Sequence, residues 1–436
     1  MDVIKKNNRI DNLLNNNQFL ITEIITFYIL ILFPVSFIIG SFAVDFLVIL
    51  TVIFFLFICR KKKIFKEIFI NYKNIFICFL IFYFFSLISF INSQEMFKSF
   101  YKSFFHLRFF IFAIAVDYIF FKFYKKLYVL KKFYFFLFLT ICFSGFFEYF
   151  NIFSDYFFNS KYNSRISGIF GSELILGGVA LKLFFINLFF FSLNKKKIIY
   201  LFFLFLVTFF TIYISKERIV MLLFLSSIII FFFYYFKPVN KKYIFFILIL
   251  ISLFLYSIKN NSNWIKFINY VLVHSHISKF ENYIDTKNYP IDGYNYFKLF
   301  YTGYEIGKSY FPIGVGVRNF RNECIELVKN DQKKVFSCDT HPHNIYFEII
   351  AETGFFGFVF FIFFVFYLII FINKIHKNSK EDSILKGLSF SIIFIFFWPI
   401  ATTGSFFNNY NSALIWFNIG FLFFLQKIRK EKLYNL

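Results

Sequence analysis

The sequence predicts an all-α polytopic integral membrane protein of about 12 transmembrane helices, with one large loop between the ninth and the tenth. Three observations carry this. Hydrophobic residues make up 59% of the 436 and charged residues only 16%, too apolar a balance for a surface that faces water on all sides. The apolar residues gather into runs close to the length of about 20 that a helix needs to cross hydrocarbon. Lys and Arg cluster in every second connection between those runs, which is how a spanning chain sets its orientation. The net charge of +23 would elsewhere suggest nucleic acid. Its confinement to short clusters beside apolar runs is a topology signal instead, and a nucleic-acid partner is not expected. The 84 Phe fit a compositional bias as well as a lipid environment, so single Phe residues say little.

Taken in order, the predicted spans are 19–37, 40–58, 74–91, 104–121, 133–152, 169–193, 198–214, 218–236, 243–258, 346–372, 387–404 and 412–426. The polar, Asn-rich N-terminus and the length of the first run argue against a cleavable signal. Gly40 marks the turn between the first two spans. With a cytoplasmic N-terminus, inside segments hold 28 Lys and Arg and short outside segments hold six. Both termini are then cytoplasmic, in agreement with the positive-inside rule. The organisation is therefore 1–258 with spans one to nine, 259–345 as a large outside loop, and 346–436 with spans ten to twelve. The loop is rich in Asn, Tyr and Lys, and Trp264 and the turn Pro312–Gly316 predict an ordered, partly helical cap. Long ordered loops are commonly functional.

Chemistry is expected where this loop meets the tenth span. The stretch His341-Pro342-His343-Asn344 runs into Glu348 and Glu352. A histidine beside a helix N-terminus can act as general base at neutral pH. The competing reading is a histidine that caps the helix. Metal binding by His-x-His is disfavoured because no matching carboxylate or thiol set has ligand spacing. Three basic sites share the outside face: Arg165 before the sixth span, Arg218 in Lys216-Glu217-Arg218 at the start of the eighth, and Arg318 with Arg321 after the glycine turn. Arginines at a membrane edge either snorkel to headgroups or bind an anion such as a lipid-linked phosphate in planar, bidentate fashion. Cys324 and Cys338 lie in the outside loop, where a disulfide is expected; two free thiols are the alternative. Cys59, Cys78 and Cys142 read as packing residues. Pro399 to Asn411 reads as a broken helix end that could line a polar cavity, or as an ordinary turn. Asp45, Asp117, Glu148 and Lys182 fall in or near the spans.

At these words the chain resembles the O-antigen ligase and O-antigen polymerase superfamily of bacterial envelope glycosyltransferases. The matching words are Gly314-Val315-Gly316-Val317-Arg318-Asn319-Phe320, His341 to Glu348, and Glu352-Thr353-Gly354-Phe355-Phe356-Gly357. Arg165 to Gly178 and Ser215 to Arg218 are similar too, so the specific words span about 165–360. The resemblance implies a metal-independent, inverting transferase, without cofactor, in the bacterial inner membrane with its site facing the periplasm. It implies transfer of a glycan from undecaprenyl pyrophosphate to lipid A-core or another glycan acceptor. His343 would activate the acceptor hydroxyl and Arg218 would engage the pyrophosphate. His341, Asn344, Glu348, Arg165, Arg318 and Arg321 would contact substrate. Ligases carry a further loop arginine upstream of the glycine turn; here that stretch offers Lys298 instead. A polymerase and a protein O-oligosaccharyltransferase share the class, and a transporter is the reading from a different class. A transporter would place its ionisable residues near the bilayer midplane, whereas here they gather at the outer edge.

Overall fold

The computed structural model describes residues 20–152, 165–171, 173–192, 197–235, 291–330, 336–375, 379–431 and 433. Every regular element among them is helical. In order these are α1 (Ile21–Ile39), α2 (Ser41–Lys62), α3 (Phe65–Ile88), α4 (Met96–Lys122), α5 (Leu127–Tyr149), α6 (Leu176–Ser192), α7 (Lys197–Ser215) and α8 (Arg218–Tyr235). Then come α9 (Ile291–Ser309), α10 (Phe320–Lys329), α11 (Ile345–Asn373), α12 (Lys380–Phe397) and α13 (Asn409–Glu431). Among the described residues, seven helices are long and apolar enough to cross a membrane: α1 to α5, α8 and α11, with α3 and α5 extended by adjoining 3-10 turns. Helices α6 and α7 are shorter apolar helices. Eleven of the twelve predicted spans thus coincide with a helix. The ninth, 243–258, lies outside the described residues, as do Trp264 and the Lys and Arg before residue 20.

The helices pack through small residues and rings. Gly40 (φ 127°) makes the turn between α1 and α2, a conformation that a Cβ disfavours. Helix α13 runs through the centre of the bundle. A Cβ at Gly420 would overlap the Ala113 carbonyl of α4, so the two backbones touch, as membrane helices do at small residues. Trp416 of α13 is fully buried against Phe79, Phe110 and Phe364 of three other helices.

Ionisable groups mark one end of the bundle. Lys62 meets Glu23 at 2.6 Å and Arg429 meets Asp382 at 2.9 Å, joining the start of α1 to the end of α2 and the start of α12 to the end of α13. Arg429 is 0% exposed. Its Nε and Nη groups donate to both Asp382 oxygens, to the Ile372 and Ile375 carbonyls and to Gln426. All five guanidinium donors are used, which is what a buried arginine requires. Asp117 meets Tyr72 and Lys427. Because α11 ends beside Arg429, it begins at the opposite end, and the His stretch lies there. Asp45 belongs to that end too, paired with Arg108 at 2.6 Å and accepting from Asn409 at 3.0 Å.

Candidate active site

Helix α11 is broken at Gly354 (φ 72°, ψ −170°). A break frees carbonyls that the next turn would otherwise bind. The Gly314–Phe320 turn takes them: Val315 N–H donates to the Ala351 carbonyl at 3.0 Å and Gly316 N–H to the Glu352 carbonyl at 3.0 Å. A Cβ at Gly314 would overlap the Gly354 nitrogen, so these two glycines are one steric unit. Glu352, 1% exposed, accepts the Arg318 N–H at 2.8 Å and fixes the turn from which Arg318 projects. The cap is held just as closely. Gly303 and Gly307 of α9 lie against the Phe347 and Ile350 carbonyls of α11, and the Phe300 and Phe347 rings stack at 5.2 Å.

The start of α11 carries the histidines. Asn344, 1% exposed, caps the helix by accepting from Tyr346 N–H at 2.9 Å and Phe347 N–H at 3.3 Å. Its amide also donates to the Pro399 and Ala401 carbonyls at 2.7 and 3.1 Å. Glu348 is fully buried; Ser405 Oγ donates to one carboxylate oxygen and Phe406 N–H to the other, the latter at 2.7 Å. Asn344 and Glu348, expected at the substrate surface, therefore tie the 399–406 segment to α11 from inside the protein. The helix end expected to offer unpaired N–H groups is closed by Asn344.

The two histidine rings lie 4.1 Å apart. His341 Nε2 is 3.2 Å from the Thr403 carbonyl and its Nδ1 is 2.9 Å from Thr340 Oγ1. Burial, then the charges of His343 and Arg318, push the His341 pKa down to about 4 against the pull of the Thr403 carbonyl and Asp339. His341 is neutral at physiological pH. His343 is more open, its side chain 26% exposed, with Nε2 3.0 Å from Asp339 Oδ2. Burial alone would raise the Asp339 carboxyl; hydrogen bonds from His343 and the Thr340 N–H, with the two histidine charges, outweigh it and bring the pKa below its usual value. Tyr296 of α9 stands edge-on to His343 at 5.5 Å. An imidazole nitrogen facing a carboxylate is the arrangement that a general base with an orienting carboxylate would use. Cys324 and Cys338 are joined in a disulfide, one residue before Asp339.

The outer arginines form two groups. Arg318 reaches the electrostatic surroundings of His341, Glu348 and Glu352. Arg165 faces Glu217, whose carboxylate accepts from the Gly177 and Gly178 N–H groups at the start of α6 at 2.6 and 3.2 Å. Glu148 anchors the Arg165 segment through the Ser167 and Gly168 N–H groups at 3.0 and 2.6 Å. Arg218 is exposed at the first turn of α8. The register of α8 on α12 sets its level: Tyr234 packs on Gly387, and Ser391 Oγ donates to the Ser227 carbonyl at 2.8 Å. The pair is antiparallel. Arg218 lies about 13.5 Å from Ser227 at 1.5 Å per residue, toward the end of the bundle at which α12 ends. Lys182 packs on Phe396 of α12. Lys298 is partly buried on α9, and Arg321 is exposed on α10. Lys216, Arg318 and His343 all adopt left-handed backbone, φ 56°, 66° and 55°, a strained state that gathers at working sites.

Sequence reasoning missed Asp339 and Tyr296. Asp339 carried one signal, an acid four residues before a histidine in a cation-rich loop; Tyr296 carried none.

A helical membrane bundle with a histidine–carboxylate pair and arginines at one end has the architecture of a membrane-embedded enzyme. Residues 201–362 match the model of the O-antigen ligase family, a match that supports the resemblance to the O-antigen ligase superfamily. The match includes Arg218, Lys298, Arg318, Arg321 and both site histidines. No curated protein matches the chain.

Proposed function

We propose that the protein is an O-antigen ligase-type inverting glycosyltransferase of the bacterial inner membrane. It moves a glycan from undecaprenyl pyrophosphate to lipid A-core on the periplasmic face. The observation that carries this reading is His343, paired with Asp339 at 3.0 Å on the same end of the bundle as Arg218 and Arg318, inside the matched family region. His343 removes the acceptor hydroxyl proton, and the oxygen attacks the anomeric carbon from the face opposite the leaving group. Undecaprenyl pyrophosphate departs with its bonding electrons. Arg218 and Arg165 bind that charge, as planar guanidinium groups suit pyrophosphate. The buried Arg165 Nε has no hydrogen-bond partner among the described residues, in keeping with an anion-binding role. Residues Arg318, Arg321 and Lys298 supply the remaining positive field around the sugar and phosphate groups. An apolar groove of about 500 Å³ between α8, α11 and α12, ending at Trp398, suits the isoprenoid chain. No step calls for a metal.

The test is complementation of a strain lacking its own ligase, comparing wild type, His343→Ala and Arg218→Ala on the envelope glycan profile. Long-chain glycan on lipid A-core, restored by wild type and by neither variant, is expected. A His343→Ala protein with full activity would sink the mechanism. Conversion of single lipid-linked repeats to polymer, without ligation, would instead assign a polymerase. Glycan on protein would assign an oligosaccharyltransferase, and a profile untouched by wild type would favour transport.

A further inference from the structure

We propose that Asp339 is a positioning residue for His343: it holds the imidazole with its proton on Nε2, so that Nδ1 is the nitrogen that takes the acceptor proton. This rests on the reading of His343 as the base and deepens it.

The carboxylate is fixed before it meets the ring. Ser337 is bound to α9: its N–H donates to Thr302 Oγ1 at 3.1 Å, and the one proton of that hydroxyl is shared between the Lys298 carbonyl at 2.7 Å and the Ser337 carbonyl at 3.0 Å. Cys338 is tied to α10 by the bond to Cys324, with Cα atoms 5.3 Å apart. The next residue is Asp339. Its Oδ1 accepts the Thr340 N–H at 2.6 Å, which leaves Oδ2 aimed at His343 Nε2 at 3.0 Å. The histidine is fixed from its own side. Its backbone is left-handed, φ 55°, and its carbonyl accepts the Thr403 N–H at 2.8 Å. A surface ion pair between two long, loose side chains would show neither restraint.

Chemistry follows from the orientation. A carboxylate only accepts, so the nitrogen facing it carries the proton and the other keeps its lone pair. As the acceptor hydroxyl transfers its proton to Nδ1, the ring becomes imidazolium, and Asp339 stabilises that charge without taking the proton itself. The O–H bond breaks as the oxygen–carbon bond to the sugar forms, and the electrons of the old glycosidic bond leave with the pyrophosphate. Among the described residues, the charged and titratable groups facing His343 are Asp339 and His341 from its own segment and Tyr296 from α9; Arg318 bears on His341.

The decisive variant is Asp339→Asn, which keeps the shape and the Thr340 contact but can present an amide donor to Nε2. In protein labelled with ¹⁵N-histidine in detergent, wild type should show His343 protonated on Nε2, and Asp339→Asn should show the proton on Nδ1. With a purified lipid-linked glycan donor, Asp339→Asn should lose on the order of 10²-fold or more in kcat at little-changed KM, because the carboxylate does not touch substrate. Asp339→Glu should retain more activity than Asp339→Asn. Asp339→Ala should regain part of its rate with added formate, since Asp339 is 47% exposed and a small carboxylate can enter. An Asp339→Asn protein with wild-type kcat and an unchanged tautomer would overturn the proposal. Absence of transfer by well-folded wild type would overturn the transferase reading instead, and the tautomer measurement would still decide what Asp339 does to the ring.

Discussion

Asn344 gives the sharpest test of how the active end is held. Its side chain has two duties: it accepts from two N–H groups of α11 and donates to two carbonyls of the 399–401 segment. Asn344→Ala removes both. Loss of the cap costs about 1 kcal/mol. The Ala401 carbonyl belongs to a residue 1% exposed, and leaving it unbonded costs about 1–3 kcal/mol. Pro399 is exposed and its carbonyl can turn to water. The total is about 2–4 kcal/mol. Asn344→Asp separates the duties. Aspartate caps a helix as well as asparagine, so the cap survives. Its oxygens, however, would face the two carbonyls where the amide donated, and the tether becomes a repulsion. Denaturant unfolding in detergent should therefore rank wild type above both variants, with Asn344→Asp no better than Asn344→Ala. An Asn344→Asp protein within about 0.5 kcal/mol of wild type would show that the cap alone matters and that the 399–406 segment is held by other means.

Two further outcomes are expected. Arg429→Ala strands Asp382, which is 2% exposed, and should destabilise by about 3–5 kcal/mol in the same unfolding assay, whereas Arg429→Leu with Asp382→Leu should lose far less. His341 has a folded pKa of about 4, below its ordinary value of about 6.5; the unfolded chain therefore binds a proton first as pH falls, and wild type should lose stability through roughly pH 6.5 to 4 relative to His341→Gln, with a slope of at most about 1.4 kcal/mol per unit. Parallel pH dependence in the two proteins would show that His341 is not buried as described.

Hydropathy made the apolar helices legible, and its early starts share one cause. Helices α3, α4 and α12 begin at Phe65, Met96 and Lys380, seven to nine residues before the predicted runs, because a helix continues through polar residues once its membrane part is formed. Hydropathy reports the bilayer, not the hydrogen-bond ladder. The site words were legible as words. Their internal logic was not: Glu348 looked available to substrate because its partners, Ser405 and Phe406, are 57 and 58 residues away in sequence. Gly314 and Gly354 stood in separate words with no hint that they touch. Asp339 was hidden because an acid in a polar loop is ordinary until the turn at Thr340 aims it at a ring.

The bond from Ser391 Oγ to the Ser227 carbonyl has a consequence for life in membranes of unequal thickness. A helix longer than the local hydrocarbon tilts to fit. Helices α8 and α12, pinned at mid-height and packed at Gly387, can tilt only as a pair, like two staves nailed together. Sliding by one turn would move Arg218 by about 5.4 Å against the segment that holds His341. Tilting as a unit leaves their relative height unchanged, so the register of α8 on α12 is insulated from the thickness of the lipid around it.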